Sequence, residues 1–145
     1  MPFIATTAPG SESDITNDFW PDISPSDARN VIRIEADVTT ARLNYLLQVA
    51  MTDVNDELAS FTTAQQNAGI SSANDLTASQ RIRYKQAIYA HTTAALLEMY
   101  QDYDATGQRG DGKNPVNDQV DSQRRQVALA IRAITGKARS CVELI

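Results

Sequence analysis

Cysteine occurs once in this chain, at Cys141, histidine once, at His91, and tryptophan once, at Trp20. A lone thiol excludes an intrachain disulfide and any paired-cysteine metal knuckle, and such usage fits a reducing compartment. Nowhere do about 18 apolar residues run together, and the opening MPFIATTAPG has neither a cationic stretch nor a long apolar core, so no membrane span and no secretory signal is expected. Basic residues are the minority, 13 against 18 acidic, and the net charge of -5 argues against a surface built to neutralise phosphates. A P-loop, a GxGxxG fingerprint and a nucleophile elbow are all missing. Strand-like alternation, internal repeats and sustained heptads are missing too.

What remains is a helical pattern. The chain has 145 residues, 42% of them hydrophobic, enough for one core, since a chain of this size buries roughly 70% of its unfolded surface. MPFIATTAPGSESDITN mixes small and polar residues without periodicity and reads as an arm that orders only against something else. In FWPDISPSDARNVIRI, Ser24 precedes Pro25 and Asp27 follows within the first turn, which predicts a short helix of two to three turns. Leu43, Leu47, Ala50, Val54, Leu58 and Phe61 step by three or four, forming one stripe of an amphipathic helix that ends before Gly69. Thr77 and Gln80 stand at capping-box spacing ahead of a central helix running to Tyr103. Asn114 and Pro115 open a last helix whose apolar side is Val120, Val127, Ile131 and Ile134 and which stops at Gly136. The expected fold is all-α: a bundle of about four helices over residues 19–136, a flexible arm over 1–18 and an extended tail over 137–145.

Chemical sites are few. DYDATG imitates the front of a calcium loop, but Thr106 and Lys113 stand where ligands are needed. Arg109, Gly110 and Asp111 read as a turn. The neighbours of His91 are Thr92 and Thr93, which suits a hydrogen-bonded core or interface histidine better than a metal ligand or general base. Cys141 sits among apolar residues, where a thiol behaves as a small hydrophobe. Four tyrosines, Tyr84, Tyr89, Tyr100 and Tyr103, fall on the central helix, where packing is their ordinary use. No enzyme, metal or cofactor is expected.

Two features point to partners instead. From Ala87 to Leu97 the central helix reads AIYAHTTAALL, apolar or small on nearly every face, as in a helix enclosed by others or by a neighbouring chain. The chain then closes on TGKARSCVELI, with Lys137 and Arg139 followed by the apolar Cys141, Val142, Leu144 and Ile145. Residues 119–145 carry two acids against five bases, whereas 1–37 carry seven acids against two bases. Only the C-terminal end is basic.

The order of FWPDISPSDARNVIRIEADVTTARL, MTDVNDEL, YKQAIYAHTTAALLEMYQDYDATG and AIRAITGKARSCVELI resembles the head completion proteins of P2-like tailed bacteriophages over residues 19–145. The resemblance implies a head-to-tail adaptor in the virion neck, assembled in the host cytoplasm. Such an adaptor forms a homo-oligomeric ring of about twelve copies. The ring binds the portal protein after DNA packaging, extends the DNA channel and receives the next neck or tail-terminator protein. Genomic DNA would cross the bore without specific binding, and no membrane is involved. On this reading Lys137, Arg139, Cys141, Val142, Leu144 and Ile145 dock in the portal. Phe19, Trp20, Ile88, His91, Leu96 and Leu97 are candidate subunit-interface residues. One rival is a cytosolic regulatory or nucleic-acid-binding helical protein using Arg124, Arg125, Arg132, Lys137 and Arg139. A further rival is an enzyme pairing His91 with Glu98.

Overall fold

The computed structural model describes residues 13–104 and 115–136, and its first helix begins where the capping signals stand. Ser24 is extended, its Oγ accepts the Asp27 amide at 3.1 Å, and α1 runs Pro25–Val31 with Pro25 in its first turn. Thr39 repeats the device, its Oγ1 accepting the Arg42 amide at 3.1 Å, and α2 spans Thr40–Glu57. The stripe read from the sequence is its inner face: Leu43, Leu47, Ala50 and Val54 are all buried, with Met51 beside them.

The single helix expected up to Gly69 is divided. Leu58 leaves helical geometry (φ -96°, ψ 7°), its amide shared between the carbonyls of Val54 and Asn55, and α3 follows over Ala59–Asn67. Ser60, Thr62 and Thr63 just beyond it are weak helix formers, while fully buried Leu58 anchors the step to the core. The described residues thus contain five α-helices rather than about four. At the end of α3, Gly69 has φ +98°, its amide bonds the Gln66 carbonyl, and the Ile70 amide bonds that of Gln65. This is a complete Schellman closure in a conformation that favours glycine.

After a short 3-10 turn, Ala73–Asp75, the capping box forms as spelled. The Gln80 amide donates to Thr77 Oγ1 at 3.1 Å and the Thr77 amide to Gln80 Oε1 at 3.2 Å. The central helix, α4, covers Ala78–Asp104, about 40 Å long at 1.5 Å per residue. The last, α5, covers Pro115–Thr135 and closes at Gly136 with φ +80°. Gln80 Nε2 reaches the Ile134 carbonyl and Gln101 Nε2 reaches Asn117 Oδ1, so α4 and α5 lie antiparallel with both ends tied. Pairs from Tyr84 to Asn55 and His91 to Asp53 set α2 antiparallel to α4 as well. Val120, Val127 and Ile134 are buried on α5, with Ile131 packed at the edge. A fully buried side chain of this kind contributes about 1.5–3 kcal/mol.

The residues expected to form the end of a free arm are built into this core. Ile15 and Ile23 exchange two backbone hydrogen bonds, of 2.7 and 3.0 Å. Asn17 Nδ2 donates to the Tyr84 hydroxyl (2.9 Å), that hydroxyl donates to Asn55 Oδ1 (2.7 Å), and Asn55 Nδ2 returns to Asn17 Oδ1 (3.0 Å). This closed cycle ties the segment before α1 to α2 and α4, so the boundary at residue 18 moves back to the start of the described chain. The aromatic pair follows it inward. Trp20 stacks on Tyr84 (4.8 Å between centroids, 4°) and on Phe61 (6.0 Å, 23°), with Phe19 edge-on to it (5.2 Å, 75°).

Candidate docking surfaces

The candidate interface residues part company in the structure. Phe19, Trp20, Ile88 and Leu96 are buried within the subunit itself, because α2, α5 and the segment before α1 enclose most of the apolar stretch of α4 from the subunit's own side. His91 is nearly buried, with 13% of its side chain exposed, and its Nε2 lies 2.9 Å from Asp53 Oδ2 rather than on either threonine. Leu97 is the more exposed of the two leucines, half-buried where Leu96 is 4% exposed, and both border a groove. The docking-tail residues Lys137, Arg139, Cys141, Val142, Leu144 and Ile145 lie outside the described residues, as do the arm before Ser13 and the loop at Arg109 to Asp111.

That groove, about 940 Å³, lies over α4 between the end of α1 and the middle of α5. Its floor is Ala90, Thr93, Leu96 and Leu97, small groups next to large ones along one side of α4. Val31 and Ile32 form one wall, and Ser122, Gln123 and Gln126 the other. Val31 and Ile82 are 62% and 66% exposed, and with Tyr45 on α2 they are the large hydrophobic side chains most open to solvent among the described residues. Sequence reading missed both. Val31 ends a helix too short to show a period, and Ile82 sits between Arg81 and Arg83, off the buried stripe of α4.

Some polar groups of the groove are already engaged, Gln86 Nε2 donating to Gln126 Oε1 at 2.9 Å among them. The Tyr89 hydroxyl donates to Asp27 Oδ2 at 2.6 Å. Burial raises the pKa of this tyrosine above its ordinary range, and the Asp27 carboxylate and the charge of Asp14 add to the rise. At the far end the Tyr100 pKa is raised by desolvation and by the charges of Asp37 and Glu35. Glu35 and Asp27 are offset along the groove by Arg33 and Lys85, which leaves a charge-balanced lining.

On the other side of α4, Asp53, Asp56, Glu57, His91 and Arg124 border a shallower hollow. Among the described residues no group of three or more histidines, cysteines or carboxylates could hold a metal. Arg124 pairs with Glu98 at 2.9 Å, while His91 pairs with Asp53. Both members of the suggested His91 and Glu98 couple therefore face other partners, and seven residues of helix set them about 10 Å apart along the axis. The same ion pair engages Arg124 of the basic row of the last helix; Arg124, Arg125 and Arg132 are all exposed. No described helix is long and apolar enough to cross a membrane.

The family described as phage head completion protein (GPL) matches residues 15–145. A head completion/stabilization protein of Escherichia phage P2 is 32% identical over 145 residues, covering 94% of this chain and 85% of that protein. No solved structure matches the chain.

Proposed function

The chain belongs to the phage head completion protein (GPL) family, and from that premise we propose that it is the adaptor ring at the portal vertex, installed after DNA packaging. In that role a ring of about twelve copies extends the DNA channel. It also presents the attachment site for the next neck or tail-terminator protein. The protein is then a component of the virion, assembled in the host cytoplasm.

The observation that carries this reading is the reach of the family match. It runs from Ile15, which packs against the core, through Ile145, so the basic and apolar C-terminal residues belong to what is shared with the family. The helices meanwhile complete their own core from residues 15–134. On the proposed reading the tail beyond these helices serves a partner. Its pattern suits docking: Lys137 and Arg139 to meet carboxylates at the rim of a portal site, Val142, Leu144 and Ile145 to fill it. The net charge of -5 per copy suits a conduit, since a bore that held phosphate tightly would retain the DNA it has to pass.

Deleting Ser140 to Ile145 tests the reading. The truncated protein is expected to keep its helical circular dichroism and to lose retention on immobilised portal. A truncation that unfolds would show that the tail belongs to the bundle, and a folded truncation that still binds would place docking elsewhere.

A further inference from the structure

The groove over α4 has exposed apolar rims at Val31 and Ile82 and a half-buried Leu97 in its floor, yet none of the described helices covers it. Two observations bear on what does. The first is where the chain leaves the described region. Ile15 is pinned to Ile23, immediately ahead of the helix that forms one wall, and Asp14 is near enough to Tyr89 in the groove for its charge to act on that hydroxyl. The second is the chemistry of residues 1–12. MPFIATTAPG carries no charged side chain; Phe3 and Ile4 are its bulky apolar groups, followed by a run of small and polar residues. Between its terminal ammonium and Glu12 the segment has no charge to set against a charge-balanced lining, and the glutamines with Ser122 on α5 offer donors and acceptors to an extended backbone.

Length permits the match. The ten steps from Ile4 to Asp14 reach at most about 33 Å when extended. The helix from Ile82 to Tyr100 is about 27 Å long, so either end of the groove is within range. The C-terminal segment is the poorer occupant, because Lys137, Arg139 and Glu143 would put charge against Val31 and Ile82.

We propose that the groove is the seat of this chain's own N-terminal segment, with Phe3 and Ile4 as the anchors beside Ile82 and Leu97. Tethering at Ile15 gives the segment an effective concentration on the order of millimolar, so a contact of modest intrinsic affinity is sufficient. A seated segment shields Val31, Ile82 and Leu97 in the single subunit, whether or not the ring reading holds.

Methyl NMR on the full chain reads this directly. Combining Phe3→Ala with Ile4→Ala is expected to shift the Val31, Ile82 and Leu97 methyl resonances, and removal of Ser140 to Ile145 to leave them in place. In a sample mixing labelled and unlabelled chains, contacts from the Phe3 ring to the Leu97 methyls are expected within one chain. Three results overturn the proposal: methyls unmoved by the double substitution, methyls moved by loss of the tail, or Phe3 contacts seen only between chains, which would assign the groove to a neighbour's segment.

Discussion

Replacing Tyr84 with phenylalanine removes one oxygen from the centre of the fold and leaves the ring stacked on Trp20. That hydroxyl accepts from Asn17 Nδ2 and donates to Asn55 Oδ1. Asn17 Nδ2 keeps a second acceptor, the Pro21 carbonyl at 3.0 Å, so the group stranded by the change is mainly Asn55 Oδ1. An orphaned, partly buried acceptor costs about 1–2 kcal/mol. Asn17→Ala strands more, since the Tyr84 hydroxyl, Asn55 Nδ2 and the Pro21 carbonyl all lose a partner, and about 2–3 kcal/mol is expected. The same oxygen also governs alkaline stability. Burial pushes the Tyr84 pKa up to about 12 from 10, against the lowering effect of its two asparagine partners. The unfolded chain therefore loses this proton first as pH rises, and the stability contributed is fully present below pH 10 and lost between about 10 and 12. A two-unit shift corresponds to roughly 2–3 kcal/mol. Urea denaturation followed by circular dichroism from pH 8 to 11.5 is the assay. Tyr84→Phe should start less stable at pH 8 and then fall less steeply, with Tyr89 sustaining part of the decline in both proteins. Parallel decline of the two proteins above pH 10 would refute the assignment.

Two further outcomes follow from the helices. Leu96→Asp should unfold the subunit or cost several kcal/mol, because Leu96 is 4% exposed in its own core; Leu97→Asp, opening onto the groove, should leave a folded chain, as thermal melts of the two will show. The purified protein should not retain duplex DNA at near-physiological salt, whereas a genuine binder would show affinity falling with a log-log salt slope of about -0.9 per phosphate contacted; saturable binding abolished by Arg125→Ala and Arg132→Ala would favour the nucleic-acid reading.

The helix boundaries were the legible part of the fold, because they are written in local chemistry. Ser24, the Thr77 and Gln80 pair, Gly69 and Gly136 each cap or close a helix through atoms within a few residues. The α2 stripe was legible for the same reason, as a period needs no partner to be seen. Tertiary choices were not. Leu58 interrupts a stripe that continues on both sides of it, so periodicity gives no sign of the break. Phe19 and Trp20 lie in an irregular segment, and only the meeting of that segment with α3 and α4 shows that they fill the subunit's own core. The all-round apolar face of α4 was legible only as enclosed, because sequence cannot tell enclosure by other helices of the same chain from enclosure by another copy. The groove joins Val31 to Ile82 across the fold, and no local pattern links them.

The most direct test of the adaptor reading is the mass of the complex formed with portal. Purified protein is mixed with assembled portal rings, and the product is measured by size-exclusion chromatography with light scattering. The expected result is a discrete complex whose added mass corresponds to a closed ring of this 15.9 kDa chain, formed by the intact protein and lost when Ser140 to Ile145 are removed. A portal peak unchanged in mass at saturating protein would contradict the account.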